Sequence, residues 1–201
     1  MEKFYPKSRE KKSSEEEREP FTVLFKDLGW GVYSPDISIS PSPLYSRGFF
    51  TSPIVVGVAT SAFLFVADLV RKVDFSIPVD FIRAESYGSS TESNGAPIIS
   101  FDLKVDINAR HDILVEDIVD TGHTLSRVFK HLKSKGASSV SVCTFLDKPS
   151  RRKVDVQLVG EGKFYRGFEC PDYFVVGYGM DFAEQYRNLP YIGILKPEHY
   201  K

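Results

Sequence analysis

Three carboxylates fall within five residues at Glu116-Asp117-Ile118-Val119-Asp120, and Thr121-Gly122-His123-Thr124 follows without a break. The apolar run Ile113-Leu114-Val115 ahead of them reads as a buried strand. Leu125, Val128, Phe129 and Leu132 behind them mark one face of a helix, with Lys135-Gly136 as its stop. In open α/β sheets, ligands settle outside the carboxyl ends of the strands. A turn that opens a helix presents unpaired N–H groups and the positive end of the helix dipole, which suits a phosphate. Gly122 lets the backbone close in, and the two threonines add hydroxyl donors. Carboxylates do not attract phosphate; they suit accepting hydrogen bonds from a diol and holding a hydrated Mg²⁺. The pattern as a whole suits a sugar phosphate. A plainer alternative leaves Asp120 as a helix cap and Glu116-Asp117 as a solvated strand end.

The elements that must position this turn are legible on both sides of it. Ile54-Val55-Val56-Gly57-Val58 is a short apolar strand, and Phe63, Val66, Ala67 and Val70 then recur with helical spacing. Pro78 resets the chain, and Val79 to Arg83 reads as a second strand. Residues 88–109 are rich in Ser, Gly and Asn and read as a long loop, a length usually kept for lids or disorder. Val140, Val142 and Phe145-Leu146 give a fourth strand. Strand-helix-strand twice over predicts an α/β fold, a doubly wound parallel sheet with flanking helices. Val154-Asp155-Val156, Phe174-Val175-Val176 and Tyr191-Ile192-Gly193-Ile194 are short strands with few helical signals, so the C-terminal part predicts a small β-rich hood. Residues 1–20 alternate charges with little to bury and read as a disordered tail. In residues 21–52, Pro, Gly and Ser break every periodicity.

At 201 residues with a net charge of −1, the chain fits one domain, and nothing in its charge calls for nucleic acid or an anionic membrane. No apolar run reaches the roughly 20 residues of a membrane span. The two cysteines, Cys143 and Cys170, form no metal or Cys-x-x-Cys pattern, which fits free thiols in a reducing cytoplasm.

The stretch Val115-Glu116-Asp117-Ile118-Val119-Asp120-Thr121-Gly122-His123-Thr124-Leu125 resembles the phosphoribosyl pyrophosphate (PRPP) signature of the type I phosphoribosyltransferases. Three further segments are similar to the hypoxanthine and hypoxanthine-guanine members of that family. They are Phe81 to Gly88, Leu146 to Arg152, and Pro171 to Asp181 with Tyr186-Arg187. The resemblance runs from about Pro53 to the C-terminus, so residues 53–201 are expected to form the phosphoribosyltransferase domain. It implies a purine-salvage enzyme that moves the phosphoribosyl group of PRPP to a 6-oxopurine and releases pyrophosphate.

By that resemblance Glu116 and Asp117 lie under the ribose, and Asp120 is the general base facing N7 of the purine. Thr121, Gly122, His123 and Thr124 hold the 5′-phosphate, although His123 reads equally well as an exposed residue with no role. Lys148 donates to the purine O6, Phe174 stacks on the base and Val175 offers backbone groups to its edge. Asp181 completes the base pocket and contacts Mg²⁺ directly, with Glu116 and Asp117 as further metal candidates. Arg187 clamps pyrophosphate. Ser86-Tyr87 begins a mobile loop that closes over the reaction. Arg151 and Arg152 read as solvated or interfacial. Relatives are commonly dimers or tetramers, so a homo-oligomer is implied.

The sequence departs from the family in two places. Ala59-Thr60-Ser61-Ala62 stands where many relatives have Lys or Arg followed by Gly, in the turn that contacts pyrophosphate. Thr60 and Ser61 keep N–H and hydroxyl groups there but bring no charge. The N-terminal strand and long amphipathic helix of the family are also not legible in residues 1–52. An alternative to the enzyme is therefore a PRPP- or nucleotide-sensing regulator, or an impaired isoform, of the same fold.

Overall fold

The computed structural model of the chain describes residues 53–73, 75–85 and 98–200. Ahead of them it describes the strands Glu2–Phe4 (β1), Val32–Tyr33 (β2) and Ser38–Ile39 (β3). Apart from those strands, the expectations for residues 1–52, and the one for Ser86-Tyr87, lie outside the described residues. Within the stretch expected as a tail, β1 pairs antiparallel with a strand of the hood.

The remaining strands are Ile54–Val58 (β4), Val79–Glu85 (β5), Ile98–Phe101 (β6), His111–Val119 (β7), Ser139–Asp147 (β8), Phe164–Glu169 (β9), Val175–Val176 (β10) and Ile192–Ile194 (β11). Helix Phe63–Val70 (α1) follows β4, and helix His123–Ser134 (α2) follows β7. Six strands form one sheet in the order β6-β5-β4-β7-β8-β9, all parallel except the edge strand β6. A second, smaller sheet has the order β1-β11-β10. This is the expected doubly wound architecture with a small hood.

The central strands are buried on both faces, as parallel strands flanked by helices must be. Every residue of β4 is buried, and only His111 and Ile118 of β7 are partly exposed. One face packs Val55, Ile113, Val115 and Cys143 against Phe65, Val66 and Leu69 of α1. The other packs Ile54, Val56, Leu114 and Val142 against Leu125, Val128, Phe129 and Leu132 of α2. Those four α2 residues are the ones its periodicity selects. The face of α1 differs from the expectation: Phe65, Val66 and Leu69 are buried, whereas Phe63 is 39 % exposed. Asp68 is the only polar residue of that helix, so spacing alone leaves its inward face undefined.

Other boundaries also move. β7 runs on to Val119, because β8 continues beside it to Asp147, so Glu116 and Asp117 lie within the strand rather than past its end. Val154 to Val156 is not a strand. Lys153 and Val154 both donate their backbone N–H to Thr121 O, at 3.0 and 3.2 Å, so this backbone braces the turn before α2. The sheet edge is instead β9, a strand hidden in the sequence by Arg166, Gly167 and Glu169. β6 lies inside the stretch expected to be loop.

The hood is fastened over the α1 side. Tyr178 donates its hydroxyl to Asp68 Oδ2 at 2.7 Å, and its ring packs 5.1 Å from that of Phe145. Gly179 passes so close to the turn before α1 that a Cβ there would lie 2.0 Å from Ser61 O. Among the described residues, no helix is long and apolar enough to cross a membrane.

Candidate active site

Two clefts meet at the carboxyl end of β7. The larger, about 290 Å³, is lined by Ser61, Glu116, Asp117, Ile118, Asp120, Lys148, Phe174, Val175, Met180 and Asp181. The smaller, about 80 Å³, is lined by Glu116, Ile118, Val119, Asp120, Thr121, Gly122, Thr124 and Leu125. Glu116, Ile118 and Asp120 belong to both, so the two clefts form one continuous groove from the phosphate turn to the hood. Of the expected residues, Thr60, His123 and Arg187 line neither. The lining residues Ile118, Val119, Leu125 and Met180 carry no chemical signature by which a sequence would reveal them.

The smaller cleft rests on the turn before α2. Gly122 is the N-cap residue at φ +87°, a left-handed conformation that disfavours any side chain. No side chain caps this helix, so Asp120 is not a cap. Beneath Gly122 lies the Arg152 side chain, its Cδ 3.1 Å from where a Cβ would stand. Arg152 pairs with buried Asp147, which also lies 3.5 Å from Arg166. Arg152 is thus a supporting beam of the phosphate turn rather than a solvated residue. Arg151 is exposed, as expected, and its Nε sits 3.1 Å from Asp120 Oδ1 and 3.5 Å from Asp172 Oδ1. His123 is exposed at the first residue of α2.

The acids divide by burial. Glu116 and Asp117 are 7 % and 3 % exposed, so they are not a solvated strand end. Burial pushes the Glu116 carboxyl well above its usual range, and the adjacent Asp117 carboxylate pushes it further. Burial also raises Asp117, to about 6, against the opposing effect of a hydrogen bond from Ser61. Such carboxyls are costly in an empty site and become useful when a ligand supplies donors or a cation. Glu116 Oε2 is buried without a hydrogen-bond partner, an orphaned acceptor at the edge of the groove.

The hood supplies the opposite wall. Lys148 is 7 % exposed and donates from Nζ to Tyr173 O at 2.6 Å, which fixes its ammonium beside the Tyr173-Phe174 segment. Phe174 is 36 % exposed; its ring stacks on Tyr200 at 4.6 Å and meets Phe182 edge-on at 5.5 Å. Asp181 pairs with Arg187 Nη2 at 2.9 Å and accepts the Glu184 N–H at 2.9 Å. Arg187 also bonds Glu184 and Gly179 O, so its fork ties the hood loop together. Among the described residues, no three His, Cys, Asp or Glu side chains converge as a metal cage. Glu116, Asp117 and Asp181 do, however, place three oxygen-donor side chains along one groove.

The turn before α1 faces this groove through Ser61. Its Ala59–Thr60 peptide is cis, and the Thr60 hydroxyl accepts a 2.8 Å hydrogen bond from Arg83 Nη2.

Residues 44–183 match the phosphoribosyl transferase domain model. The hypoxanthine-guanine phosphoribosyltransferase of Bacillus subtilis is 45 % identical over 75 % of this chain and 81 % of its own length. The hypoxanthine phosphoribosyltransferase of Escherichia coli is 46 % identical over 70 % and 76 %. A crystal structure of a hypoxanthine phosphoribosyltransferase from Staphylococcus aureus superposes with a TM-score of 0.70 at 36 % identity, covering 90 % of each chain. The chain belongs to the phosphoribosyltransferases, within their hypoxanthine and hypoxanthine-guanine family.

Proposed function

We propose that this chain, acting in purine salvage, moves the 5-phosphoribosyl group of PRPP to hypoxanthine, and to guanine, to give IMP or GMP and pyrophosphate. The observation that carries the reading is the continuous groove. It joins a phosphate-sized cleft on a helix-opening turn to an aromatic wall, with two buried carboxyls and Asp120 between them.

In this reading Thr121, Gly122 and Thr124 hold the 5′-phosphate with N–H and hydroxyl donors, with His123 as an outer donor. Glu116 and Asp117 accept hydrogen bonds from the ribose hydroxyls, which satisfies the orphaned Glu116 oxygen. The purine lies on Phe174 with its edge along Val175, and Lys148 donates to O6. Adenine carries a donor at that position and would leave the ammonium without an acceptor. As the C1′–O bond to pyrophosphate breaks and the bond from purine nitrogen to C1′ forms, Asp120 takes the proton released by the base. Thr60, Ser61 and Arg187 hold the departing pyrophosphate. Ser86-Tyr87 begins the loop that shields the reaction from water.

The oxygen donors Asp181, Glu116 and Asp117 suit a hard cation, and Mg²⁺ is generally held by one or two carboxylates together with substrate phosphates. Bound there, it would neutralise the negative charge that builds on pyrophosphate. A cytoplasmic homo-oligomer, dimer or tetramer, completes the proposal.

An ultraviolet assay with hypoxanthine, PRPP and Mg²⁺ tests the reading. The expected result is IMP and pyrophosphate in equal amounts. PRPP binding with no product would leave a nucleotide-binding regulator instead.

A further inference from the structure

The main cleft is lined by the four acids Glu116, Asp117, Asp120 and Asp181, and by one base, Lys148, which is bonded to Tyr173 O. Arg187 would reach pyrophosphate with its charge already offset by Asp181 and Glu184, and it also bonds Gly179 O. The turn Ala59-Thr60-Ser61-Ala62 carries no charge of its own, although Ser61 lines the cleft. A highly anionic pyrophosphate needs compensating positive charge, and this turn does not contain it.

The adjacent strand provides one. β5 runs parallel to β4 with Val58 beside Ile82, so Arg83 is the next residue beyond the last pair, level with the turn. Side chains alternate along a strand. Phe81 packs with the α1-side cluster, so Arg83, two residues on, projects from that same face, over the loop that leads into α1. The 2.8 Å bond from Arg83 Nη2 to Thr60 Oγ1 fastens it there. Thr60 takes the place that the resemblance gives to a Lys or Arg, and its hydroxyl is the acceptor that holds the replacement charge.

We propose that Arg83 is the pyrophosphate-binding cation of the turn before α1, contributed by the neighbouring strand and positioned by Thr60. The ligand class, a pyrophosphate bound to a phosphoribosyl group or free, rests on the function proposed above. A guanidinium suits this ligand because its planar fork can bond two phosphate oxygens at once.

The experiment compares wild type, Arg83→Gln, Arg83→Lys, and the double variant Arg83→Gln with Thr60→Lys. It reads steady-state KM for PRPP and for hypoxanthine, and calorimetric binding of inorganic pyrophosphate with Mg²⁺. Thermal melting checks that each variant folds. Arg83→Gln should raise the PRPP KM and weaken pyrophosphate binding by about 10- to 100-fold, the usual scale for losing a charged hydrogen bond. The hypoxanthine KM should stay within about twofold, since Lys148, Phe174 and Val175 line the cleft at the base end and Arg83 does not. Arg83→Lys should fall between wild type and Arg83→Gln. Thr60→Lys should restore most of the loss in Arg83→Gln by returning the charge to the turn.

Unchanged PRPP and pyrophosphate affinities in Arg83→Gln would overturn the assignment. Equal losses for both substrates, or a double variant no better than the single, would overturn it in favour of a purely structural contact. Should Arg83→Gln fail to fold, Arg83→Lys and the double variant decide alone. Absence of hypoxanthine turnover in wild type would sink the proposed function, while the pyrophosphate-binding arm would still judge Arg83.

Discussion

The two turns that contribute to the groove are built on opposite plans. The turn after β7 carries its chemistry in its own sequence, with acids, Gly122 and threonines in one unbroken run. The turn after β4 is Ala-Thr-Ser-Ala, and the charge beside it comes from β5, where Arg83 bonds the Thr60 hydroxyl. Both follow a parallel strand and open a helix, but the first turns on left-handed Gly122 and the second on the cis Ala59–Thr60 peptide. A motif read along the chain reveals the first kind of site. The second kind is assembled across strands and becomes visible only when register is known.

The sharpest way to break this contrast is Asp120→Asn. If the acidic turn is self-contained, losing one proton acceptor of unchanged shape should lower kcat by about 10²–10⁴-fold and leave PRPP binding intact. Single-turnover kinetics with a PRPP titration would measure both, and an unchanged rate would reduce the turn to a scaffold.

Next in size is Lys148→Ala on the base wall. Hypoxanthine KM should rise about 10- to 100-fold, with PRPP nearly unaffected, because in the proposed reading the ammonium meets the base and not PRPP. Parallel losses would mean that Lys148 chiefly holds Tyr173 O.

The buried acids sharpen the comparison through pH. The unfolded chain releases these protons near pH 4, whereas burial makes the folded chain keep them to about 6 at Asp117 and about 7 at Asp112. A carboxyl raised in the folded state costs stability as pH climbs. Stability of the ligand-free enzyme should therefore fall between about pH 4 and 7 from these two groups, and Glu116, raised well above its usual range, adds to the fall. Asp80 and Asp102 are held below their usual values, so their contribution is lost only as pH drops below about 4. Asp117→Asn should stabilise the empty enzyme by about 1–3 kcal/mol at pH 8 while impairing turnover. Asp112, at the far end of β7 with both oxygens unpartnered, offers the control. Asp112→Asn should flatten the upper part of the slope and leave kcat alone. Urea denaturation across pH reads both variants.

The smallest effect belongs to Tyr200→Ala. Its ring backs Phe174 in a 4.6 Å stack and does not itself line the groove. Removing it should loosen Phe174 and raise purine KM about two- to tenfold, with Tyr200→Phe near wild type. A lower KM would show that Tyr200 competes with the base for the ring.

What the sequence discloses follows the same division. α2 announced its inward face because Leu125, Val128, Phe129 and Leu132 alternate with Lys, Arg and Ser. α1 could not, since seven of its eight residues are apolar and the sheet alone decides which turn inward. β9 escaped notice because an edge strand tolerates Arg166, Gly167 and Glu169 among its aromatics. Glu116, Asp117, Asp120, Lys148, Phe174 and Asp181 were legible as a constellation, and one groove gathers them. Arg152 was not. It pairs with Asp147 beneath Gly122, and nothing in the second of two adjacent arginines declares a partner five residues back on another element.

The two cysteines have a practical consequence. Both are almost wholly buried, Cys143 at 0 % and Cys170 at 1 % exposure, and burial raises both thiols, Cys143 to about 12. Alkylation needs an accessible thiolate, which neither provides at neutral pH. A cysteine introduced at exposed Lys196 would then be the sole site for a maleimide dye, and Tyr200, four residues on, stacks on Phe174 of the groove. Fluorescence from that one label would report hood rearrangement during turnover in an enzyme that keeps both of its native sulfurs.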